Sequence, residues 1–138
     1  MLLLNMTDKN HQPRFSRVFK TAWFSKVAKK AHIPDADLCA VISQVMQGQA
    51  DDLGGGVFKK RLNDNMHRSI ILAKGGRHWV YAYLFAKKDR DNIESDELAD
   101  FRVLAKAYAD LSEAQIEQLL RDKDLMEICH DSQAQIQK

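Results

Sequence analysis

Three cations in this sequence stand at a spacing that β-strands turn into a site. Lys59 and Arg61 lie two apart in VFKKRL, and Arg68 follows seven residues later in HRSIIL. Side chains of an extended chain alternate, so Val57, Lys59 and Arg61 point one way while Phe58, Lys60 and Leu62 point the other. Arg68 falls with Ile70 and Leu72 on one face of the next strand, and pairing of the two strands brings a third cation onto the first two. Lys87 and Lys88 follow the aromatic run HWVYAYLFA. Cations converging on a sheet suit a phosphodiester, because they make charge-assisted bonds to its oxygens and stabilise the charge that grows during cleavage. The plainer alternative is a set of solvated strand charges, the usual state of Lys and Arg.

The elements that must position these residues are readable from period and punctuation. FSRVFK, over 15–20, is β-prone, and Thr21 caps a helix over 22–31 whose apolar side is Trp23, Phe24, Val27, Ala28 and Ala31. Pro34 breaks that helix and Asp35 caps the next, in which Leu38, Val41, Ile42 and Val45 form one face. Gly48 ends it, and QADDLGGG reads as a connection. Three strands follow: VFKKRL, RSIILA and HWVYAYLFA. Gly75 and Gly76 are a two-residue hairpin turn between the last two. In HWVYAYLFA unbroken alternation puts Trp79, Tyr81, Tyr83 and Phe85 on one face, either a core face under the helices or a row for stacking bases. Ser95 opens a helix carrying Leu98, Phe101, Leu104, Ala105 and Tyr108. Ser112 and Gln115 form a capping box for another, with Leu111 and Ile116 as its hydrophobic staple. DLMEIC reads as a last short strand. The expected fold is α+β: a small antiparallel sheet with two N-terminal helices and the C-terminal helices packed on it.

A chain of 138 residues suits one domain, expected over 15–130, with flexible tails at 1–14 and 131–138. MLLL is far shorter than a signal-peptide core or a membrane span, so a cytoplasmic protein is expected, with Met6 as an alternative start. Neither Cys39 nor Cys129 has a partner at zinc-ligand spacing, and both are expected to be buried free thiols. The net charge of +2 conceals a strong polarity: residues 1–34 carry +6, 35–56 carry −4, 57–90 carry +7 and 91–138 carry −7. Basic segments of this kind attract polyanions, nucleic acid among them. The acidic C-terminal third reads as a solvated helical face.

The glycines of DLGGGVFKKRL do not form a phosphate-binding loop. Such a loop needs a strand before it and a helix after it to supply amides and dipole, and here the order is reversed. They serve instead as an unconstrained path into the sheet. Dinucleotide, zinc-protease and nucleophile-elbow motifs are absent, and neither metal nor cofactor is expected.

Taken together, DLGGGVFKKRL, the arginine of HRSIIL, an aromatic strand ending FAKKDRDNI, and LSEAQIEQLLRDKDLMEI resemble the RelE/ParE superfamily of type II toxin–antitoxin toxins. The resemblance covers roughly residues 15–128 and is nearest the HigB-like branch. It implies an mRNA endonuclease that cuts in the ribosomal A site, without metal, by attack of the RNA's own 2′-hydroxyl on the adjacent phosphate. It also implies a separate antitoxin, expected to be a helix-turn-helix protein. Carried onto this chain, the catalytic set is Lys59, Arg61, Arg68 and Lys87 or its neighbour, with Lys60, Lys88 and Arg90 as further RNA contacts. His67 is either a proton-transfer residue or a histidine satisfied by its surroundings, since neighbours in a strand face opposite ways. Relatives often carry a glycine- and lysine-rich loop before the arginine, where this chain has NDNMH, and some carry a tyrosine after the basic pair, where it reads DRDNIESDE. The alternatives are a ParE-like gyrase poison and a non-catalytic module that binds antitoxin or RNA.

Overall fold

A computed structural model describes residues 16–74 and 78–129. The expected tails and the Gly75-Gly76 turn lie outside the described residues. The elements are β1 (Arg17–Thr21), α1 (Ala22–Lys30), α2 (Asp35–Met46), β2 (Asp51–Gly54), β3 (Val57–Leu62), β4 (His67–Lys74), β5 (His78–Ala86), α3 (Ser95–Ala109), α4 (Glu113–Arg121) and β6 (Leu125–Ile128). The class is α+β as expected, but the sheet is mixed. Its order is β2-β3-β4-β5-β1-β6, and β1 runs parallel to β5 while the other neighbours are antiparallel. A wholly antiparallel sheet is therefore incorrect: the helical excursion after β1 lets that strand sit beside β5 in the same direction, as parallel neighbours require.

Both faces of the sheet are covered. Val18, Leu62, Ile71, Trp79, Tyr81 and Leu84 pack with Phe24 and Ala28 of α1 and Leu38, Ile42 and Val45 of α2. On the other side Phe19, Val57, Ile70, Leu72, Val80 and Phe85 pack with Ala105 of α3 and Ile116 of α4. Caps act where short polar side chains meet free amides. Thr21 Oγ1 accepts from the Phe24 amide at 3.0 Å, and Ser112 and Gln115 form the expected box. One expected cap is displaced: Pro34 occupies the cap of α2, leaving Asp35 inside to accept from Lys20. α3 opens at Ser95 as expected, and Glu94 before it caps the helix through a box with Glu97.

The triglycine turns out to be a hairpin. Asp51–Gly54, expected as a connection, pairs with β3 as an edge strand, and Gly54, Gly55 and Gly56 turn the chain with φ of +86°, +65° and +83°. That region is open to glycine without strain. A Cβ on Gly55 would stand 2.7 Å from Arg102 Cγ, and Arg102 donates to the carbonyls of Leu53 and Gly54. The glycines thus let the turn lie flat under α3. No helix among the described residues is long and apolar enough to cross a membrane.

The cysteines are not free thiols. Cys39 and Cys129 are disulfide-bonded, with Cα atoms 5.4 Å apart and 90 residues between them in sequence. The return of β6 beside β1 brings its end under α2, which no local spacing announces. Replacement of Cys39 by Ser, or reduction, is expected to lower stability by on the order of 4 kcal/mol, from the loop entropy restored to the unfolded chain. The denaturant midpoint measures it, and an unshifted midpoint would show that the crosslink is not closed in solution.

Candidate active site

The β3–β4 ladder determines which cations meet. Lys59 lies opposite Ile70 and Arg61 opposite Arg68. Arg68 is in turn opposite Phe85 of β5, so Lys59, Arg61 and Arg68 share the sheet face that α3 and α4 cover, beyond the helices' apolar contact. Arg61 is exposed, and among the described residues no acid pairs with it or with Arg68. Like charges directly opposite on a ladder repel. An anion bridging them removes that repulsion.

Arg68 is 8% exposed and is held by oxygens rather than by charge. Its Nη1 donates to the Asn65 carbonyl and to Asn65 Oδ1, both at 3.0 Å, and to the His67 carbonyl at 3.3 Å. Its Nε and Nη2 make no such bond, and the only buried unpartnered side-chain donor among the described residues is Trp79 Nε1. Those two donors therefore keep access to solvent. The anchoring loop is unusual: Asn63, Asp64 and Asn65 are all left-handed, with φ of 55°, 52° and 71°. Asn and Asp tolerate that region better than other residues with a Cβ.

Lys59 is half-buried, its Nζ 3.3 Å from Asn92 Oδ1 and 3.9 Å from the Asp51 carboxylate. Arg90 is pinned more firmly. It pairs with Glu97 through both terminal nitrogens, donates to the Tyr83 hydroxyl at 3.3 Å, and lies 5.4 Å over the Phe85 ring. The same Glu97 closes the capping box of α3, so the helix start fixes Arg90 in place. Hydrogen bonds from Arg90 and from the Glu94 amide hold the Glu97 carboxyl below the usual range.

A bulge brings the aromatics here. The β4–β5 register passes from Ile70 opposite Tyr83 to Ile71 opposite Tyr81, leaving Ala82 as an extra residue. Trp79 and Tyr81 consequently lie on the α1–α2 side, while Tyr83 and Phe85 lie on the side of the cations. The single aromatic face expected from unbroken alternation does not form.

The remaining candidates lie elsewhere. Lys60 points to the opposite face and donates to the Gln49 carbonyl at 2.6 Å, tethering the segment before β2. Lys87 and Lys88 are exposed and line a groove of about 620 Å³ with Asp64, Asn65, Met66, His67 and Asp91. His67 faces away from Arg68, as alternation requires, and its Nδ1 is 3.1 Å from Asn63 Nδ2. Since an amide nitrogen only donates, Nδ1 accepts and the neutral ring carries its proton on Nε2. The expected set thus divides: Lys59, Arg61, Arg68 and Arg90 on one face, His67, Lys87 and Lys88 along the groove. Tyr83 and Phe85 are legible in sequence as part of the aromatic row, but on one face with Trp79 and Tyr81; Asn65 and Asn92 are not singled out there, although NDN is a run of turn-forming residues and Asn92 lies within FAKKDRDNI.

The profile that matches is the RelE toxin of the RelE/RelB toxin–antitoxin system, over residues 16–128. The chain belongs to the RelE toxin family, and it is a toxin of the toxin–antitoxin type. No match is found among the curated proteins.

Burial lowers the His67 pKa, with Asp89 acting upward and Lys88 downward. A depressed histidine adds stability that is present above the unfolded value of about 6.5 and is lost as pH falls through the folded value. The His67 ring resonances should titrate below that reference. His67→Gln should flatten part of the fall in melting temperature between neutral and mildly acid pH, and an unchanged acid slope would contradict this.

Proposed function

We propose that this toxin is an endoribonuclease that cuts messenger RNA on the ribosome and so arrests translation, and that an antitoxin encoded with it holds it inactive. The observation that carries the reading is the pair Arg61 and Arg68, opposite each other on the sheet and, among the described residues, paired with no carboxylate. Guanidinium groups stay protonated and present parallel donors that match phosphate oxygens. The GGG-x-x-KKR and F-x-K-x-x-R-x-N-I runs also favour the HigB-like branch, with a helix-turn-helix antitoxin and a cytoplasmic site of action.

In the reaction the ribose 2′-oxygen forms a bond to the adjacent phosphorus, the bond from phosphorus to the following 5′-oxygen breaks, and a cyclic phosphate is left behind. The 2′-hydroxyl gives up a proton and the departing oxygen gains one. Charge accumulates on the non-bridging oxygens between these events. Arg61 and the open donors of Arg68 stabilise it, and Lys59, held by Asn92, adds a third positive charge on the same face. Asn65 keeps the Arg68 guanidinium oriented before substrate arrives, so little reorganisation is needed at the transition state. Arg90, neutralised by Glu97, supports the Phe85 surface and leaves the charge of the pair unshared.

Arg68→Ala should reduce cleavage of a defined message by on the order of 10²-fold or more, as loss of one preorganised donor does at other charge-stabilising sites. Arg61→Ala should act in the same direction, and both should relieve growth arrest on induction while the melting temperature stays near that of the parent. Induction that breaks chromosomal DNA and leaves messages intact would instead identify a gyrase poison. Full cleavage by Arg68→Ala would remove the pair from the chemistry.

A further inference from the structure

Trp23 departs from the stripe to which its helical position assigns it. Phe24 and Ala28 of α1 are buried, whereas Trp23 is 47% exposed. It is nevertheless held. Its indole stacks on Tyr83, with centroids 5.1 Å apart and planes at 22°. Tyr83 in turn contacts Phe85 and Phe101, each at 5.7 Å between centroids, and its hydroxyl accepts from Arg90. Phe85 lies under Arg90 and beside Arg68 in the ladder. A continuous series of rings therefore runs from the unpaired guanidinium groups to an open indole.

Two features of the topology produce this series. The parallel register of Lys20 with Tyr81 brings the start of α1 level with Tyr83, and the extra residue Ala82 turns Tyr83 toward the cations. A strand gripped at one phosphate must place a neighbouring base within one nucleotide's reach. An indole backed on one face by a tyrosine and otherwise open offers that base a π-surface, and its restrained position limits the entropy lost on binding. The geometry points to Trp23 as a stacking subsite for a nucleobase of the RNA strand beside the phosphate gripped by Arg61 and Arg68. This rests on the nuclease reading and adds to it the residue that holds the base. Stacking tolerates any base and favours the larger ring systems, so the subsite prefers a purine over a pyrimidine only modestly.

The test is single-turnover cleavage of a short defined message on programmed ribosomes across a range of toxin concentrations. Trp23→Ala should raise the half-saturating concentration about 10-fold, and Trp23→Phe should recover most of the loss, with melting temperatures close to the parent's. An abasic residue scanned along the message should weaken the parent by a similar factor at one position near the cut and leave Trp23→Ala indifferent at that position. Parental half-saturation for Trp23→Ala overturns the subsite. So does a loss for Trp23→Ala that no abasic position reproduces in the parent, since that marks a structural role. A variant that cuts normally but escapes inhibition by the antitoxin assigns the indole to the protein partner and likewise overturns it. Failure of the parent to cut any message is seen before any variant is made, and it overturns the nuclease reading together with the subsite built on it.

Discussion

One register carries the site: Arg61 opposite Arg68 on adjacent antiparallel strands. A slip of one residue would send Arg68 to the α1–α2 face and set His67 against Arg61. What prevents it is that the two strands are buried on both sides over most of their length. Val57, Ile70 and Leu72 fill one layer, and Leu62 and Ile71 fill the other. A slipped pairing would exchange those layers and bury charge. The core therefore does more than stabilise the fold: it forces two like charges together, against a cross-strand repulsion that is about 1 kcal/mol or less.

The local part of this was legible in sequence. Alternation in VFKKRL and HRSIIL gave the correct face for Lys59, Arg61 and Arg68, because each strand is regular and each carries apolar residues that declare its inward side. The same reasoning failed one strand later, at HWVYAYLFA, where every residue after His78 except the alanines is aromatic or aliphatic and large. Nothing in such a run marks an extra residue, and the bulge at Ala82 appears only when β5 is paired with β4. The Cys39–Cys129 bond was illegible for a related reason, since its partners meet only after β6 has returned to the edge of the sheet beside β1. The DDLG edge strand was hidden by its composition, poor in the residues that favour strands.

The site residues divide along the same line. Those that act through position on a strand could be read. Contacts made through a neighbour could not: Arg68 folds back onto the loop of Asn65, and Arg90 reaches the hydroxyl of Tyr83, read only as one of an aromatic row, across a turn. The tyrosine that some relatives carry after the basic pair is absent from DRDNIESDE, yet a tyrosine hydroxyl is present on the cation face, delivered by the bulge from within β5.

The charge segregation along the chain also takes on a definite meaning. The acidic C-terminal third is more than a solvated face, because its carboxylates occupy cations at particular places. Glu113, Glu117 and Glu127 surround Arg17, binding β1 to α4 and β6, and Glu97 takes Arg90. Asp35 takes Lys20, and Asp51 lies at the outer limit of pairing with Lys59. Among the described residues Arg61 and Arg68, like Lys87 and Lys88 along the groove, are left without an acid. A carboxylate there would have relieved the repulsion between them in the free protein, and it would then have competed with any phosphate for the same donors. Leaving the pair unneutralised makes the free protein slightly less stable and keeps both guanidinium groups available to an anion.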